Sequence, residues 1–451
     1  MRTWRRTSPD GRALLLAVLL TGLTTFMFLP LLAIHFTAEG LPAGRVGFLV
    51  GLLAFCSQGF SLVCGLIVDR MGSRAVLASG FGLRVAGYLL LALGDGGRTV
   101  PLVAGIAAIG VGGSLLGLTI KTLLVREDSV EPREMLALRS TFVNVGVVAG
   151  PALGAAVYPL GFTYILAACV LSHLLLGLRL TARRAAKTLP GPETAAPATG
   201  TPTATTTATV ATAAAPGTTT PATGTAPATG TTTAAVPVPA PTATATATAP
   251  EDPNAPPSAP APHWARWQWV PLCLLGIAFW AIYSQLNVLM PITAKELTGS
   301  AGAGSVVFTL NGLLCVLLQY TLLHHVFGRA TTRTLLAVGF VAFACAYAVF
   351  IPLAGWSALL AFVLPVTVAE MLIAPSLDEQ AVKVTSVRRT GLALGTMSAA
   401  GAVGSLLGSS LGGHLLQTLH GGTGLWLVLV VFSLVAAATC LLLPKVHTQH
   451  A

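Results

Sequence analysis

Charged residues are scarce in this 451-residue sequence. Only 9% of the chain is charged, whereas 54% is hydrophobic. A typical soluble domain has about 25% charged residues, so this composition excludes an ordinary soluble domain and indicates an integral membrane protein. The net charge of +10 comes from cations dispersed between apolar runs. Because these cations form no continuous basic stripe, we expect no nucleic-acid partner.

The sequence also lacks the motifs of enzymes and metal sites. It contains no HExxH motif, no Walker loop, and no GxSxG in a strand–turn–helix context. Its seven cysteines lie inside apolar runs without CxxC spacing, a pattern typical of small buried residues. We therefore expect no enzyme activity, no metal and no cofactor.

Long apolar runs dominate what is present. Twelve of them approach the roughly 17–25 residues that cross a hydrocarbon core of about 30 Å. They predict an all-α integral membrane protein with twelve transmembrane helices in two six-helix, pseudo-symmetric bundles. The predicted spans are 13–36, 44–68, 75–94, 100–124, 138–159, 161–180, 268–294, 302–324, 334–352, 356–380, 391–416 and 424–444.

A segment rich in Ala, Thr, Pro and Gly separates the two sets of six spans. It has almost no large apolar side chain to bury, so we expect a disordered cytoplasmic linker. The predicted divisions are an N-terminal segment 1–12, a bundle 13–180, the linker 181–266, a bundle 267–444 and a tail 445–451.

The cations fall mostly in alternate connections between the spans. With the N-terminus inside, the opposite face receives only Arg45, Arg98 and Lys295. The positive-inside rule then predicts that both termini and the linker are cytoplasmic. We expect a multi-pass protein of the plasma membrane, of the bacterial inner-membrane type.

The two halves share an internal repeat. Arg70 and Arg74 precede an apolar run in the same register in which Arg329 and Arg333 precede another, and both runs end in Gly-Phe. Two similar halves that start on the same side are parallel repeats about an axis along the membrane normal. Transporters use this arrangement.

One loop carries the most specific motif. It matches the pattern G-x-x-x-D-R-x-G-x-R through Gly65, Asp69, Arg70, Gly72 and Arg74. In this motif and in the twelve spans, the chain resembles the major facilitator superfamily, closest to its drug:proton antiporter branch. The resemblance implies a gating latch in which Asp69 faces the positive end of a helix in the other half. Gly328 stands at the equivalent position, which predicts a one-sided latch. The alternative is that these charges only cap helix ends.

The fifth span carries a second, partial match. Gly146, Gly150, Pro151 and Gly154 resemble the antiporter signature of that helix, and ordinary small-residue packing is the alternative. A family arginine in helix four is absent, because Ile106 stands at its position. A proton relay on that arginine is therefore not available here.

Glu370 is the acid that the spans place deepest in the membrane. A carboxylate buried in hydrocarbon is costly, so it should face a cavity or be held protonated. We interpret Glu370 as the proton-coupling or substrate site. The alternative is a structural carboxylate that bonds to neighbouring helices or pairs with Lys121 or Arg84. Arg84 itself is interpreted as a structural partner of the latch region.

The seventh span has a polar stripe. Trp280, Tyr283 and Asn287 are spaced i, i+3 and i+7 and so share one helix face. Asn311 and Asn144 could join them from other helices to form a cavity for an amphipathic or cationic aromatic ligand. Interhelical hydrogen bonding is the alternative for each asparagine.

Together these features predict a secondary transporter that works by alternating access. The expected function is proton-coupled efflux of small amphipathic or drug-like compounds, driven by the proton gradient alone. The expected partners are the bilayer, the substrate and protons, and the expected state is a monomer. Alternatives are proton-linked or facilitative uptake of a polar metabolite, and a non-transporting membrane sensor or scaffold.

Overall fold

The structure is a computed structural model in which regular structure is entirely helical across the described residues. These are residues 2–60, 63–64, 67, 70–94, 99–127, 130–182, 263–321, 330–383 and 390–441. Gly65, Asp69 and Gly328 lie outside these ranges, as does most of the predicted linker.

The described residues form twelve helical segments after a short helix at Arg2–Arg6. The first six are α1 Pro9–Ala38, α2 Ala43–Gly59, α3 Ser73–Leu93, α4 Thr99–Val125, α5 Pro132–Val157 and α6 Phe162–Ala182. The second six are α7a His263–Tyr283 with α7b Gln285–Thr298, α8 Ala303–Thr321, α9 Thr332–Ala348, α10 Gly355–Lys383, α11 Thr390–Leu419 and α12 Thr423–Leu441. Because α7a begins at His263, the predicted linker end at residue 266 falls inside a helix.

Length and composition suit these helices to a bilayer. Eight of the described helical stretches are long and apolar enough to cross a membrane. α2, α8 and α9 are shorter apolar helices, and α11, which spans Thr390–Leu419, is the remaining segment. The odd-numbered helices begin on the face that carries residue 9, which we call the N-terminal face. The opposite one is the distal face.

Glycines bring α1 and α5 into backbone contact. A Cβ atom on Gly146 or Gly150 would lie within 3.0 Å of the α1 backbone, and one on Gly154 would overlap the carbonyl oxygen of Met27. These positions accept only hydrogen, so the glycine spacing sets the distance between the two helices.

The second half repeats this contact between α7 and α11. A Cβ atom on Gly404 would overlap the carbonyl oxygen of Ile277, and one on Gly408 would overlap the backbone of Ala281. α5 and α11 are each the fifth helix of their half, and α1 and α7 are each the first. The sequence repeat is therefore also a repeat of packing.

A single turn residue, Ser284, separates α7a from α7b. Its backbone keeps helical angles, with φ −61° and ψ −19°, so the seventh span Trp269–Thr298 is one membrane stretch with a local distortion. Side chains donate to carbonyl oxygens next to Ser284. The Ala281 oxygen accepts from Ser284 Oγ at 2.9 Å and Gln285 Nε2 at 2.8 Å, and the Ile282 oxygen accepts from the Tyr347 hydroxyl at 2.8 Å. At membrane depth, polar groups next to a local distortion of a helix need such partners.

The two halves touch through α2 with α11 and through α5 with α8. A Cβ atom on Gly47 would overlap the Ser409 oxygen, and one on Gly413 would overlap the Ala43 oxygen. Thr309 on α8 donates to the Val148 oxygen of α5 at 3.3 Å. The tightest α2–α11 contacts lie towards the distal face, and they close the space between the halves on that side.

Candidate functional site: a cavity between the two halves

A cavity of about 430 Å³ lies between the two halves. Helices of both halves line it, including α1, α2 and α5 on one side and α7, α8, α10 and α11 on the other. The lining includes every residue that the sequence predicts for the coupling site and the substrate cavity: Glu370, Trp280, Tyr283, Asn287, Asn311 and Asn144. Their roles stay predictions, but the fold brings them together.

Three neutral groups hold the Glu370 carboxylate. Its Oε1 accepts from the Tyr283 hydroxyl at 2.9 Å, and its Oε2 accepts from Asn311 Nδ2 at 3.2 Å and from Cys315 Sγ at 3.9 Å. These bonds join Glu370 to α7 and α8, and neither Lys121 nor Arg84 is among the three donors. No cation among the described residues compensates the charge of the ionised acid.

A second hydrogen bond fixes the orientation of Asn311. Its Oδ1 accepts from the Thr367 hydroxyl of α10 at 2.7 Å. The amide therefore joins α8 to α10 with its oxygen and presents its NH₂ group to Glu370. Interhelical bonding and cavity lining, which the sequence offers as alternatives for Asn311, occur together.

Asn144 lies on the opposite wall. Its side chain is 8% exposed, and its Oδ1 has no hydrogen-bond partner. A buried amide oxygen left unpaired is unfavourable unless a ligand or water donates to it.

Aromatic rings form one side of the cavity. Trp280 and Tyr283 pack edge to face with centroids 5.6 Å apart, and Tyr283 stacks on Phe279 at 5.7 Å. Such a wall offers a flat apolar surface to a ligand. Trp280, Tyr283 and Asn287, the residues of the predicted stripe, all line the cavity.

The structure places Arg84 on the cavity wall, where its side chain is 6% exposed. It makes no hydrogen bond to the latch residues that the structure describes, and its interpretation as a partner of the latch region stays a prediction. Its Nη2 donates to Thr25 Oγ1 at 2.7 Å and to the Tyr88 hydroxyl at 3.1 Å. The sequence shows Arg84 as a cation inside a membrane span. The direction in which its side chain points depends on tertiary packing.

Sequence reasoning also missed Asp378 as a cavity residue. It follows Glu370 on α10, and Ala374 and Leu377 between them also line the cavity. The spacing i, i+4, i+7 and i+8 places all four on one helix face. This face extends about 12 Å along the helix axis. The cavity thus extends from Glu370 towards the N-terminal face.

Part of the predicted latch loop is described. Gly72 has φ +77° and precedes the first residue of α3, a conformation that favours glycine. Arg70 and Arg74 are exposed. The predicted contact of Asp69 lies outside the described residues and stays a prediction. In α5, Gly146, Gly150 and Gly154 pack on α1, and Pro151 lies inside the helix.

Curated relatives include transporters from several bacteria. An uncharacterised MFS-type transporter of Mycobacterium tuberculosis strain H37Rv is 30% identical over 138 residues, which is 30% of this chain and 32% of the relative. Multidrug resistance protein MdtH of Aeromonas hydrophila is 28% identical over 149 residues, covering 33% of this chain and 37% of the relative. The matched segments thus span about a third of these relatives.

Solved structures with the same fold include peptide transporters. A peptide transporter POT in complex with sulfate gives a TM-score of 0.70 at 14% identity, covering 96% of this chain and 94% of that chain. A POT family transporter in complex with 5-aminolevulinic acid gives 0.69 at 13% identity, with 98% of each chain covered. At these identities the likeness shows the fold, a twelve-helix membrane transporter.

The family model described as Major Facilitator Superfamily matches residues 14–378. The match runs through the first predicted bundle and ends within the tenth predicted span, and it confirms the resemblance to this superfamily. Relatives named multidrug resistance proteins agree with that resemblance. Since the family consists of membrane transporters, it also confirms that this chain is not an enzyme. The chain is a multi-pass membrane protein, and it belongs to the Major Facilitator Superfamily.

Proposed function

We propose that this protein exports small amphipathic compounds in exchange for protons. The observation that carries the proposal is the position of Glu370. This acid lies on the wall of a cavity between the two halves. Its carboxylate accepts hydrogen bonds from Tyr283, Asn311 and Cys315. No cofactor is needed in this scheme, because the proton gradient supplies the free energy.

The mechanism depends on the absence of a fixed counter-cation near this carboxylate. Neutral donors orient the ionised form but do not neutralise its charge. Charge in a low-dielectric cavity is costly, so the acid takes up a proton or meets a substrate group as water access changes. When the halves rock about the cavity, one carboxylate can exchange its proton with either side in turn.

Three further features belong to the proposal. Export of amphipathic compounds is supported by the aromatic wall of Phe279, Trp280 and Tyr283, and by relatives named multidrug resistance proteins. A cytoplasmic N-terminal face in a bacterial inner membrane follows from the distribution of cations. A monomer suffices, because a single chain provides both walls of the cavity.

The test is proton flux in proteoliposomes, with a panel of cationic, neutral and anionic amphiphiles of similar size. In wild type, at least one amphiphile should drive proton movement. Glu370→Gln keeps the size of the side chain and removes the titrating group, so proton flux should fall at least about tenfold while binding of that amphiphile persists. Glu39→Gln, an exposed acid beyond α1, is the matched control and should behave as wild type. Unchanged pH-dependent flux in Glu370→Gln would contradict the mechanism.

A further inference from the structure

The strongest unused feature of the cavity is the buried guanidinium of Arg84. Both of its hydrogen bonds to the protein leave from Nη2, one to Thr25 and one to Tyr88. Its Nε is buried and has no hydrogen-bond partner. The N–H groups of Nε and Nη1 are therefore left without an acceptor among the described residues.

No carboxylate among the described residues pairs with this cation. The acids that line the same cavity, Glu370 and Asp378, stand on α10 in the other half, and Glu370 takes its hydrogen bonds from neutral donors. Arginine stays protonated in proteins, so an unpaired guanidinium at membrane depth is strongly unfavourable. A ligand that carries an anion would supply the missing counter-charge and stabilise the guanidinium at this position.

The neighbouring helix makes room for this side chain. A Cβ atom on Gly112 of α4 would lie 2.8 Å from Arg84 Cγ. The aliphatic stem therefore crosses α4 where that helix has no side chain, and the guanidinium reaches the cavity wall beyond it. Thr25 and Tyr88 then fix the plane of the guanidinium from two other directions.

A second cation stands behind the first. A smaller cavity of about 160 Å³ lies among α1, α3, α4 and α5, and both Arg84 and Arg139 line it. Arg139 also has a buried Nε without a hydrogen-bond partner. Arg84 borders both cavities. The wall formed by the first half therefore contains two cations, Arg84 at the central cavity and Arg139 behind it.

We propose that Arg84 forms an oxyanion-binding subsite of the central cavity, and that the transported compounds are amphipathic molecules carrying a carboxylate or a similar oxyanion. The guanidinium offers N–H donors to the oxyanion. The apolar body of the ligand rests on the aromatic wall around Trp280. This inference rests on the proposed transport function and narrows its substrate class.

The test compares two probes that differ only in charge, 1-naphthoate and 1-naphthamide. Their equilibrium binding is measured with the full chain in lipid nanodiscs, without a proton gradient. Wild type should bind naphthoate more tightly than naphthamide. Arg84→Gln should weaken naphthoate binding about tenfold or more, because it removes a charge-assisted hydrogen bond, and should leave naphthamide binding within about twofold.

Two variants make the comparison specific. Arg84→Lys keeps the charge and loses the planar donor group, so this variant should retain a reduced preference for naphthoate. If Arg84→Gln does not fold, the comparison is made with Arg84→Lys instead. Arg179→Gln removes an exposed cation at the end of α6 and should leave both affinities unchanged.

Three results would overturn the proposal: no binding of naphthoate to wild type, equal affinity for the two probes, or a parallel loss of both in the Arg84 variants. A failure of proton coupling is distinguishable from these, because the binding assay uses no proton gradient. Unchanged pH-dependent proton flux in Glu370→Gln would remove the coupling mechanism, whereas the preference for naphthoate in wild type and its loss in Arg84→Gln are measured without any flux.

Discussion

At the scale of single residues, the cavity gathers polar groups whose sequence positions are far apart. The stripe of Trp280, Tyr283 and Asn287 could be predicted because helical periodicity puts the three residues on one face. The direction in which the Arg84 side chain points could not be predicted. It depends on the space that Gly112 leaves on another helix, and the spacing of residues along a single helix carries no information about that space.

The hydrogen bond from Tyr283 to Glu370 predicts a pH effect. This hydroxyl donates to the carboxylate at 2.9 Å and so favours the ionised form. In Tyr283→Phe the ionised carboxylate loses a donor, so the pH of half-maximal proton-coupled transport should rise.

The measurement is the pH profile of substrate-driven proton flux in proteoliposomes. Tyr164→Phe changes a tyrosine of α6 that is 61% exposed and serves as the control, with the wild-type profile expected. A downward displacement in Tyr283→Phe, or none, would show that this bond does not govern the protonation that limits transport.

At the scale of helices, the apolar runs predicted the twelve segments, including a single seventh span that corresponds to Trp269–Thr298. They gave no sign of the turn at Ser284, because residues 281–285 contain neither proline nor glycine. The partners that stabilise it come from elsewhere in the fold: Tyr347 of α9 donates to Ile282, and Gln285 donates to the Gly408 oxygen of α11 at 2.8 Å. Such donors become visible only when the helices are packed.

The glycines of α5 predict a stability effect. Gly154→Ala would place a methyl group against the Met27 carbonyl of α1 and should push the two helices apart. Overpacking of this kind costs about 1–3 kcal/mol. The melting temperature of the detergent-purified protein should fall measurably.

Gly82→Ala is the matched control for this prediction. A Cβ atom there meets nothing within 4 Å, so its melting temperature should be unchanged or slightly higher, since alanine favours a helix over glycine. Equal melting temperatures for the two variants would mean that α1 and α5 separate at no cost.

At the scale of the whole molecule, one chain forms two similar bundles around a cavity to which both contribute. The family match and the folds of solved transporters agree with this division. The segment between the bundles was predicted from composition alone, and its role stays a prediction.

Deleting residues 189–250 tests whether that segment matters for transport. A secondary transporter needs only a connection long enough to join its halves, so substrate-driven proton flux of the deletion variant should stay within about twofold of wild type. A sensor or scaffold that recruits partners through this segment would instead lose its activity. Replacing the same residues by a Gly/Ser segment of equal length shows whether an effect of the deletion comes from the lost sequence or from the shorter connection.

The contact of α2 with α11 on the distal side consists of backbone and small side chains, with Gly47 against Ser409 and Gly413 against Ala43. Packing of this kind is hardly screened by ions. The predicted latch with the exposed Arg70 and Arg74 lies near the opposite face and would act through charge, which salt attenuates over a Debye length of about 8 Å at physiological strength. If the latch forms as predicted, we expect ionic strength to weaken it more than the α2–α11 packing, so that an electrolyte biases which side of the protein stands open.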